Sequence, residues 1–428
     1  MKPHHVPVRN LLPQIRRRFV NVAADPFTGR RIYLENAGGT LKLKSIFPVI
    51  RTLTALPDNS GRNNPTSRML DAALAAGRGA VAALLGARSG QIIAEQSVTS
   101  MMFRLLRTLA QNVKGGNLVT TNLDHASIYD ASHAMARAHG LQCRVAPLDP
   151  RTGVVPVSAV TNLIDRHTIA LTVIHSSNIL GTRNPVAEIV RAARVIKPGL
   201  FIVLDGAQHA SHGLIDVEAY GADAYVMVPY KTYSKLGISF AHVSDRLAAL
   251  PHDQLAGKPP AVWDLGTREI AAYACMSQVV EYLHWLAEAD GQRPAGPRDS
   301  VIKGVAVVER LETELMRAFL HGVSGAVGLL GLPGVAVLGQ TDRLEEREAI
   351  FAFTVRDRAT AELVDEFARR GICLHHRVSD AYSRHTLAAL GVQECVRVSA
   401  CHYNTVGEVR RFLSVLATIL RQRRKTHA

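Results

Sequence analysis

A chain of 428 residues with 47% hydrophobic content can bury a large core, and its length points to two domains in one subunit. No window approaches the roughly 18 uncharged apolar residues of a membrane span, and the basic stretch over residues 1–19 lacks the apolar segment and small-residue cleavage site of a secretory signal. The formal charge of +14 is spread along the chain apart from a cluster at 421–425, so no nucleic-acid partner is expected; a solvated arginine-rich surface and a mild attraction for anionic substrates both account for it.

Residues 1–35 read as an N-terminal arm with a short strand at 31–34. Asn36-Ala37-Gly38-Gly39-Thr40 follows as a tight loop whose small residues let a backbone approach a ligand closely. A polar loop at 59–67 leads into an alanine- and leucine-rich helix over 69–87. A strand at 91–94 precedes Gln96-Ser97-Val98-Thr99-Ser100 and an apolar helix through Leu109. Hydroxyls at that helix start serve as an N-cap and equally as a cradle for an anion, because free N–H groups and the helix dipole point there. Strands follow at 118–121, ending on Asp124-His125-Ala126-Ser127, then at 143–147 and at 168–175, which leads into Ser177-Asn178-Ile179-Leu180-Gly181-Thr182. The apolar run 201–204 ends on Asp205, with Gly206 and Gln208 next, and a strand at 223–228 delivers Lys231 after Pro229 and Tyr230.

This alternation of strand and helix predicts a mixed, mostly parallel sheet with ligands at the strand carboxyl ends. No G-x-G-x-x-G follows any of these strands and no G-x-x-x-x-G-K-[ST] occurs, which removes the dinucleotide-binding alternative. Trp263-Asp264-Leu265-Gly266-Thr267 precedes a long helix for which Thr267 is a candidate cap. The Gly- and Pro-rich stretch 290–299 marks the exit to a second domain built from helix 301–320, strand 349–355, helix 359–370, a strand after Gly371 and a last strand at 395–399. Thr405 and Glu408 form a capping box for a terminal helix striped by Val406, Val409, Phe412, Leu413, Leu416, Ile419 and Leu420.

An acid at the end of one buried strand and a lysine just past the next have a clear chemical use. The lysine can form a Schiff base with an aldehyde cofactor, and the carboxylate can keep a pyridinium nitrogen protonated. Taken singly, the same residues also read as a turn-forming Asp and a solvated Lys. The wider pattern is more specific: D-G-A-Q at 205–208, G-A-D at 221–223, Y-K at 230–231, S-N-x-L-G-T at 177–182, R-x-S at 397–399 and Y-N-T at 403–405. Together these resemble the class V aminotransferases, in particular their cysteine desulfurase-like members.

The resemblance implies an α/β chain of the PLP-dependent transferase fold type I. It has a large domain on a mixed, mostly parallel sheet of the seven-stranded type and a small α+β C-terminal domain. Residues 1–35 would form an arm joining the small domain, 36–298 the large cofactor-binding domain and 299–428 the small one. The cofactor implied is pyridoxal 5'-phosphate (PLP), the substrate an amino acid as a small molecule, and the assembly a homodimer with shared active sites, with no metal and no membrane partner. Lys231 then holds the cofactor and serves as base for the α-proton, with Asp205, Gln208 and Tyr230 around it. His125 stacks on the pyridine ring, Val98 and Thr99 hold the phosphate, and Asn178 reaches the cofactor's phenolic oxygen or the substrate. Thr267 crosses to the other subunit's phosphate, Gly38 and Gly39 line the substrate side, and Arg397 clamps the α-carboxylate with its planar fork. His376, with His375 and Arg377, sets substrate choice.

The chain departs from the pattern in two places. Val228 and Tyr230 stand where many relatives carry a hydroxyl and a His, so a phosphate contact must be lost or replaced. A desulfurase also needs a thiolate on the loop between the strand after Gly371 and the carboxylate arginine. Residues 375–391 contain no Cys, and Tyr382 falls about where that thiol would stand. The five cysteines, at 143, 275, 373, 395 and 401, form neither a disulfide framework nor a C-x-x-C motif, and they suit a reducing cytoplasm. Cys373 and Cys395 read as buried structural thiols, and His209 and His212 as structural, since no other ligands are spaced to complete a metal site. The favoured reading is a PLP-dependent lyase acting on an amino acid by β-elimination, including C–S cleavage. Transamination, an isopenicillin N epimerase-like reaction and desulfuration through an unrecognised cysteine stay open, as does a non-catalytic binding protein on the same fold.

Overall fold

The computed structural model describes residues 8–57, 60–259 and 262–424. Asn59, at the start of the expected polar loop, Lys425 at the end of the basic cluster, and the first seven residues of the arm lie outside the described residues. Helix α1 (Val8–Arg17) leads to the short strand β1 (Ile32–Tyr33) and to helix α2 (Pro65–Leu85). Helix α2 starts four residues before the expected Met69 because Asn64 caps it, accepting from the Ser67 N–H at 2.9 Å, with Pro65 at the first helical position. Gly86, at φ 70°, ends it in the left-handed region that a side chain resists.

Strand β2 (Gln91–Glu95), helix α3 (Val98–Asn112), strand β3 (Asn117–Thr121), helix α4 (Ala126–Ala138) and strand β4 (Gln142–Ala146) come next. Strand β5 (Thr168–Ile174), helix α5 (Val186–Ile196), strands β6 (Phe201–Asp205), β7 (Ala224–Met227) and β8 (Ser239–Val243) complete the seven-stranded sheet, in the order β2-β8-β7-β6-β5-β3-β4. Strands β7, β6, β5, β3 and β4 run parallel, while β8 is antiparallel to both β7 and β2. Strands β3, β5, β6 and β7 are buried at every position, as a parallel sheet covered on both faces requires. Helices α3 and α4 cover one face over Met101, Leu105, Ile128 and Val203. The other face packs Leu171, Ile202, Leu204 and Met227 against α2, α5 and helix α6 (Ile270–Ala289).

Helix α7 (Pro297–His321) joins two cores: Val301 to Leu311 belong to the sheet's core, and Leu315 to Leu320 to a second one. That second core lies on an antiparallel sheet of β9 (Val335–Leu338), β10 (Ile350–Val355), β12 (His375–Val378) and β13 (Glu394–Ser399), in the order β9-β10-β13-β12. Helix α8 (Thr360–Arg369) and the terminal helix α9 (Val406–Arg424) cover it, with Phe319, Phe353, Phe367 and Phe412 clustered between. The box at Thr405 and Glu408 forms as expected, each side chain accepting from the other's backbone N–H at 2.9 Å. Leu11, Ile15 and Phe19 of the arm pack in the first core, whereas Ile32 and Tyr33 pair in parallel with β11 (Ile372–Cys373) and Leu34 enters the second. Among the described residues no helix is long and apolar enough to cross a membrane.

Candidate active site

Asp205 ends β6 at 2% exposure and accepts from the Ala207 N–H at 3.0 Å. The neighbouring strand β7 runs into a short 3-10 turn, Pro229–Lys231, which turns Lys231 inward. Its Nζ donates to Gln208 Oε1 at 3.1 Å. Gly206 has no room for a side chain, because an added Cβ would overlap the ring of Tyr225. Asp205, Gln208 and Lys231 line one cavity of about 460 Å3 with His125, Asn178, Val98, Thr99 and Tyr230, at the carboxyl ends of the parallel strands. His125 also caps α4, its Nδ1 accepting from the Ser127 N–H at 3.1 Å, which assigns the ring proton to Nε2. Ser97 and Ser100 form a capping box at the start of α3, leaving the amides of Val98 and Thr99 at the first turn with no partner inside the helix.

Burial lowers the Lys231 ammonium to about 8, helped by the positive charges of Arg397 and Arg377 and opposed by Asp205. Burial and the nearby Lys231 and Arg377 charges push His125 down to about 3, so the imidazole is neutral. The Asp205 carboxyl is raised by burial, against the pull of the Ala207 N–H and Lys231. A cationic partner would therefore be welcome beside Asp205, and an aldehyde would meet an amine that is partly free base near neutral pH.

Arg397 on β13 is 3% exposed. Its Nη1 donates to the Asn178 carbonyl at 2.9 Å, its Nη2 lies 3.8 Å from Glu35 Oε1, and its Nε has no partner. Gly38 and Gly39 border this corner: a Cβ at Gly38 would stand 3.5 Å from Arg397 Nη2, and one at Gly39 3.4 Å from the Tyr230 ring. Two expectations need correction. His376 pairs in register with Val396, on the opposite face of the sheet from Arg397, and its Nε2 is bound to Glu394 Oε2 at 2.7 Å. The residues sharing the Arg397 face are His375, which pairs with Arg397 and lies 3.0 Å from Glu35, and Arg377. Thr267 is exposed and lines an adjoining cavity, with Gln96, Gly237 and Ile238, and the cap position of α6 falls on Glu269 instead.

His212 and His209 also have partners that spacing concealed. His212 Nδ1 lies 2.7 Å from Glu312 Oε2, with Cys401 close by, and His209 Nδ1 lies 2.7 Å from Glu348 Oε1. Both carboxylates come from far along the chain, so no local motif announces them. Glu35 was missed for a related reason: it follows β1 as one more acid beside a loop. None of the five cysteines lines the cavity. Cys395 is buried opposite Arg377, and burial lifts its thiol to about 12; Cys373 is likewise raised by burial. Tyr382 is 59% exposed, and its ring centroid lies 6.2 Å from that of His125. The segment after it is anchored to the loop before His125, where His385 Nε2 meets the Asp124 carbonyl at 2.6 Å and Thr386 donates to the Asn122 carbonyl at 2.9 Å.

A buried lysine of lowered basicity, a buried carboxylate, a neutral imidazole wall and a helix N-terminus around one cavity form a donor set that fits PLP. The comparisons agree. A cysteine desulfurase of Enterobacter sp. (strain 638) is 27% identical over 79% of this chain and 80% of its own. An aminotransferase-like protein of Gibberella zeae is 26% identical over 91% of this chain and 95% of its own. The apo cysteine desulfurase of Thermococcus onnurineus NA1 superposes with a TM-score of 0.79 at 19% identity, over 96% of this chain and 98% of that one. Residues 32–292 match the family described as aminotransferase class-V. The chain belongs to that family of PLP-dependent enzymes and has its fold type I architecture.

Proposed function

We propose that this enzyme is a lyase that removes a β-substituent from an amino acid, with C–S cleavage the favoured case, and that it uses no protein thiol as sulfur acceptor. One observation carries the reading: Lys231, Asp205 and His125 share a cavity with Asn178, whose carbonyl accepts from Arg397, while no cysteine lines that cavity and the Tyr382 ring lies 6.2 Å from that of His125.

In this reading Lys231 holds the cofactor, Asp205 its ring nitrogen, His125 the ring face, and the Val98 and Thr99 amides its phosphate. Bound there, PLP supplies the electron sink that acidifies the α-proton of an amino acid. Arg397, steadied by the Asn178 carbonyl, takes the substrate carboxylate on its free edge, with His375 and Arg377 beside it. Lys231, whose burial favours the free amine, accepts the α-proton and can return it to the leaving group. Water supplies the remaining atoms, so a cysteine conjugate R–S–CH2–CH(NH3+)–COO− plus H2O gives R–SH, pyruvate and ammonium. We further propose division into domains at 36–298 and 299–428, a homodimer in which Thr267 serves the partner's phosphate site, and a cytoplasmic setting suited to five free cysteines.

Absorbance of the PLP-loaded protein, with and without a Lys231→Ala substitution, is the first test. A band near ~420 nm that the variant lacks is expected. Cysteine and its S-conjugates are then assayed for pyruvate, alanine and protein-bound sulfur. Pyruvate and thiol in equal amounts support the lyase. Alanine with sulfur on a protein cysteine would overturn it in favour of desulfuration, and a keto acid that retains the β-substituent would indicate transamination.

A further inference from the structure

Gln208 is a forked side chain whose two ends differ in chemistry, a carbonyl acceptor and an NH2 donor. Its Oε1 receives the Lys231 Nζ hydrogen bond at 3.1 Å, and its Nε2 lies 3.2 Å from His212 Nε2. An amide NH2 only donates, so His212 Nε2 must accept and the ring proton must sit on Nδ1. There it is directed at Glu312 Oε2, 2.7 Å away, while Glu312 Oε1 accepts from the His402 N–H at 3.1 Å. Each group along this line is buried: Gln208 and His212 at 1% exposure, Glu312 at 2%. With no water to compensate, each donor must meet an acceptor, and while Glu312 holds the single His212 ring proton on Nδ1 the Gln208 amide turns its NH2 to His212 and its carbonyl to Lys231.

We infer that His212, held by Glu312, is a positioning residue that fixes which end of the Gln208 amide faces Lys231. The inference rests on the proposed role of Lys231 and adds a way of tuning it. A carbonyl toward Nζ favours the ammonium, whereas an NH2 group in its place would disfavour it. The orientation is therefore a setting of lysine basicity, imposed from behind the active site by residues that never touch the substrate. Other charges face the two ends of the line. Lys231 sees Asp205, Arg397 and Arg377, and His212 sees Glu312, Glu348 and Arg183, with Cys401 and His402 packed against the pair. None of these offers Gln208 Nε2 a second acceptor among the hydrogen bonds it makes.

The test titrates Lys231 in the cofactor-free protein, by the pH dependence of its reductive methylation with 13C-formaldehyde, read at that residue by mass spectrometry. The parent midpoint is expected near 8. Gln208→Ala and the His212→Leu/Glu312→Leu double variant, which avoids stranding a buried charge, are both expected to lower it by about one unit, the worth of one hydrogen bond to a charged group. His212→Gln, whose carbonyl can still accept from Gln208, is expected to restore the parent midpoint. If the double variant does not fold, His212→Met keeps the volume without the nitrogen acceptor and carries the same expectation. A role in packing alone would lower the melting temperature of all these variants and leave the midpoint in place, and that result overturns the inference. Because the measurement needs no PLP, its outcome is separate from the absorbance test of the proposed function.

Discussion

The proposed function asks two opposed things of Lys231, burial beside the reacting atoms and a proton it can release near neutral pH. An unfolded lysine keeps its proton up to about 10.4, whereas the folded one releases it at about 8. Between those values the unfolded chain binds more protons, so the stability of the cofactor-free protein rises with pH across that window and is flat above it. Below pH 8 the full cost applies, roughly 3 kcal/mol for a shift of this size. Lys231→Met is therefore expected to stabilise the cofactor-free protein at pH 7 by about 2 kcal/mol and to flatten its pH 8–10 slope, as checked by urea unfolding at a series of pH values. Lys42, lowered to about 8 by burial, leaves a residual slope of the same sign in the variant. Arg397 acts on the same corner. Its charge lowers Lys231, so Arg397→Met is expected to raise the lysine midpoint and to raise KM for the amino acid by ~10- to 100-fold. Arg397→Lys keeps the charge and loses the fork, and should raise KM while leaving the midpoint near 8. An unchanged KM in the lysine variant would separate this arginine from the carboxylate.

At the scale of elements, α6 lies between α2 and α7 at close range because glycines face it from both sides. An added Cβ at Gly77 would overlap the Tyr273 carbonyl, and one at Gly304 the Leu283 carbonyl. Alanine is the better helix former by about 1 kcal/mol, yet Gly77→Ala and Gly304→Ala are each expected to destabilise by about 1–3 kcal/mol, because helix separation outweighs propensity. Thermal melts of the two single variants check this, and a raised melting temperature in either would refute it. Such contacts are long-range, and so are the features that the sequence left hidden. The carboxyl ends of β5, β6 and β7 were legible because parallel strands read as unbroken apolar runs that stop at Asp205 and before Lys231. Strand β8 was not legible: Ser239 and His242 interrupt its pattern, and only the structure shows Ser239 Oγ and His242 Nε2 bonded to the Glu95 and Ser89 carbonyls at 3.2 and 3.0 Å. His376 was chosen over His375 because the face of a strand depends on its partner's register, and a one-residue shift exchanges the faces.

Across the whole molecule, the two cores share helix α7 and are fastened by a buried ionic group beside the active site. Glu348, just before β10, accepts from Arg183 Nε at 3.0 Å and Nη2 at 3.2 Å and is bound to His209 at 2.7 Å. Arg183 and His209 belong to the large sheet's loops, the latter one residue after Gln208, so this carboxylate ties the second sheet to the turn that follows Asp205. Burial works to raise the Glu348 carboxyl, but the Arg183 charge and the His209 hydrogen bond overcome it and hold the group below the usual carboxylate range. A depressed acid stabilises above its unfolded value, near 4.5, and loses that contribution as pH falls through the folded one. Glu348→Gln keeps the shape and removes the charge, stranding a buried guanidinium, and is expected to cost about 3 kcal/mol at pH 7 and to reduce the loss of stability as pH falls below 4.5. Because the lost tie lies between the cores, the variant's unfolding should also become less cooperative, with a lower denaturant slope than the parent. An Arg183→Met/Glu348→Leu double variant removes both charges and should recover most of the stability. If the single and double variants lose equal stability, the group acts by packing and the ionic tie between the cores is refuted.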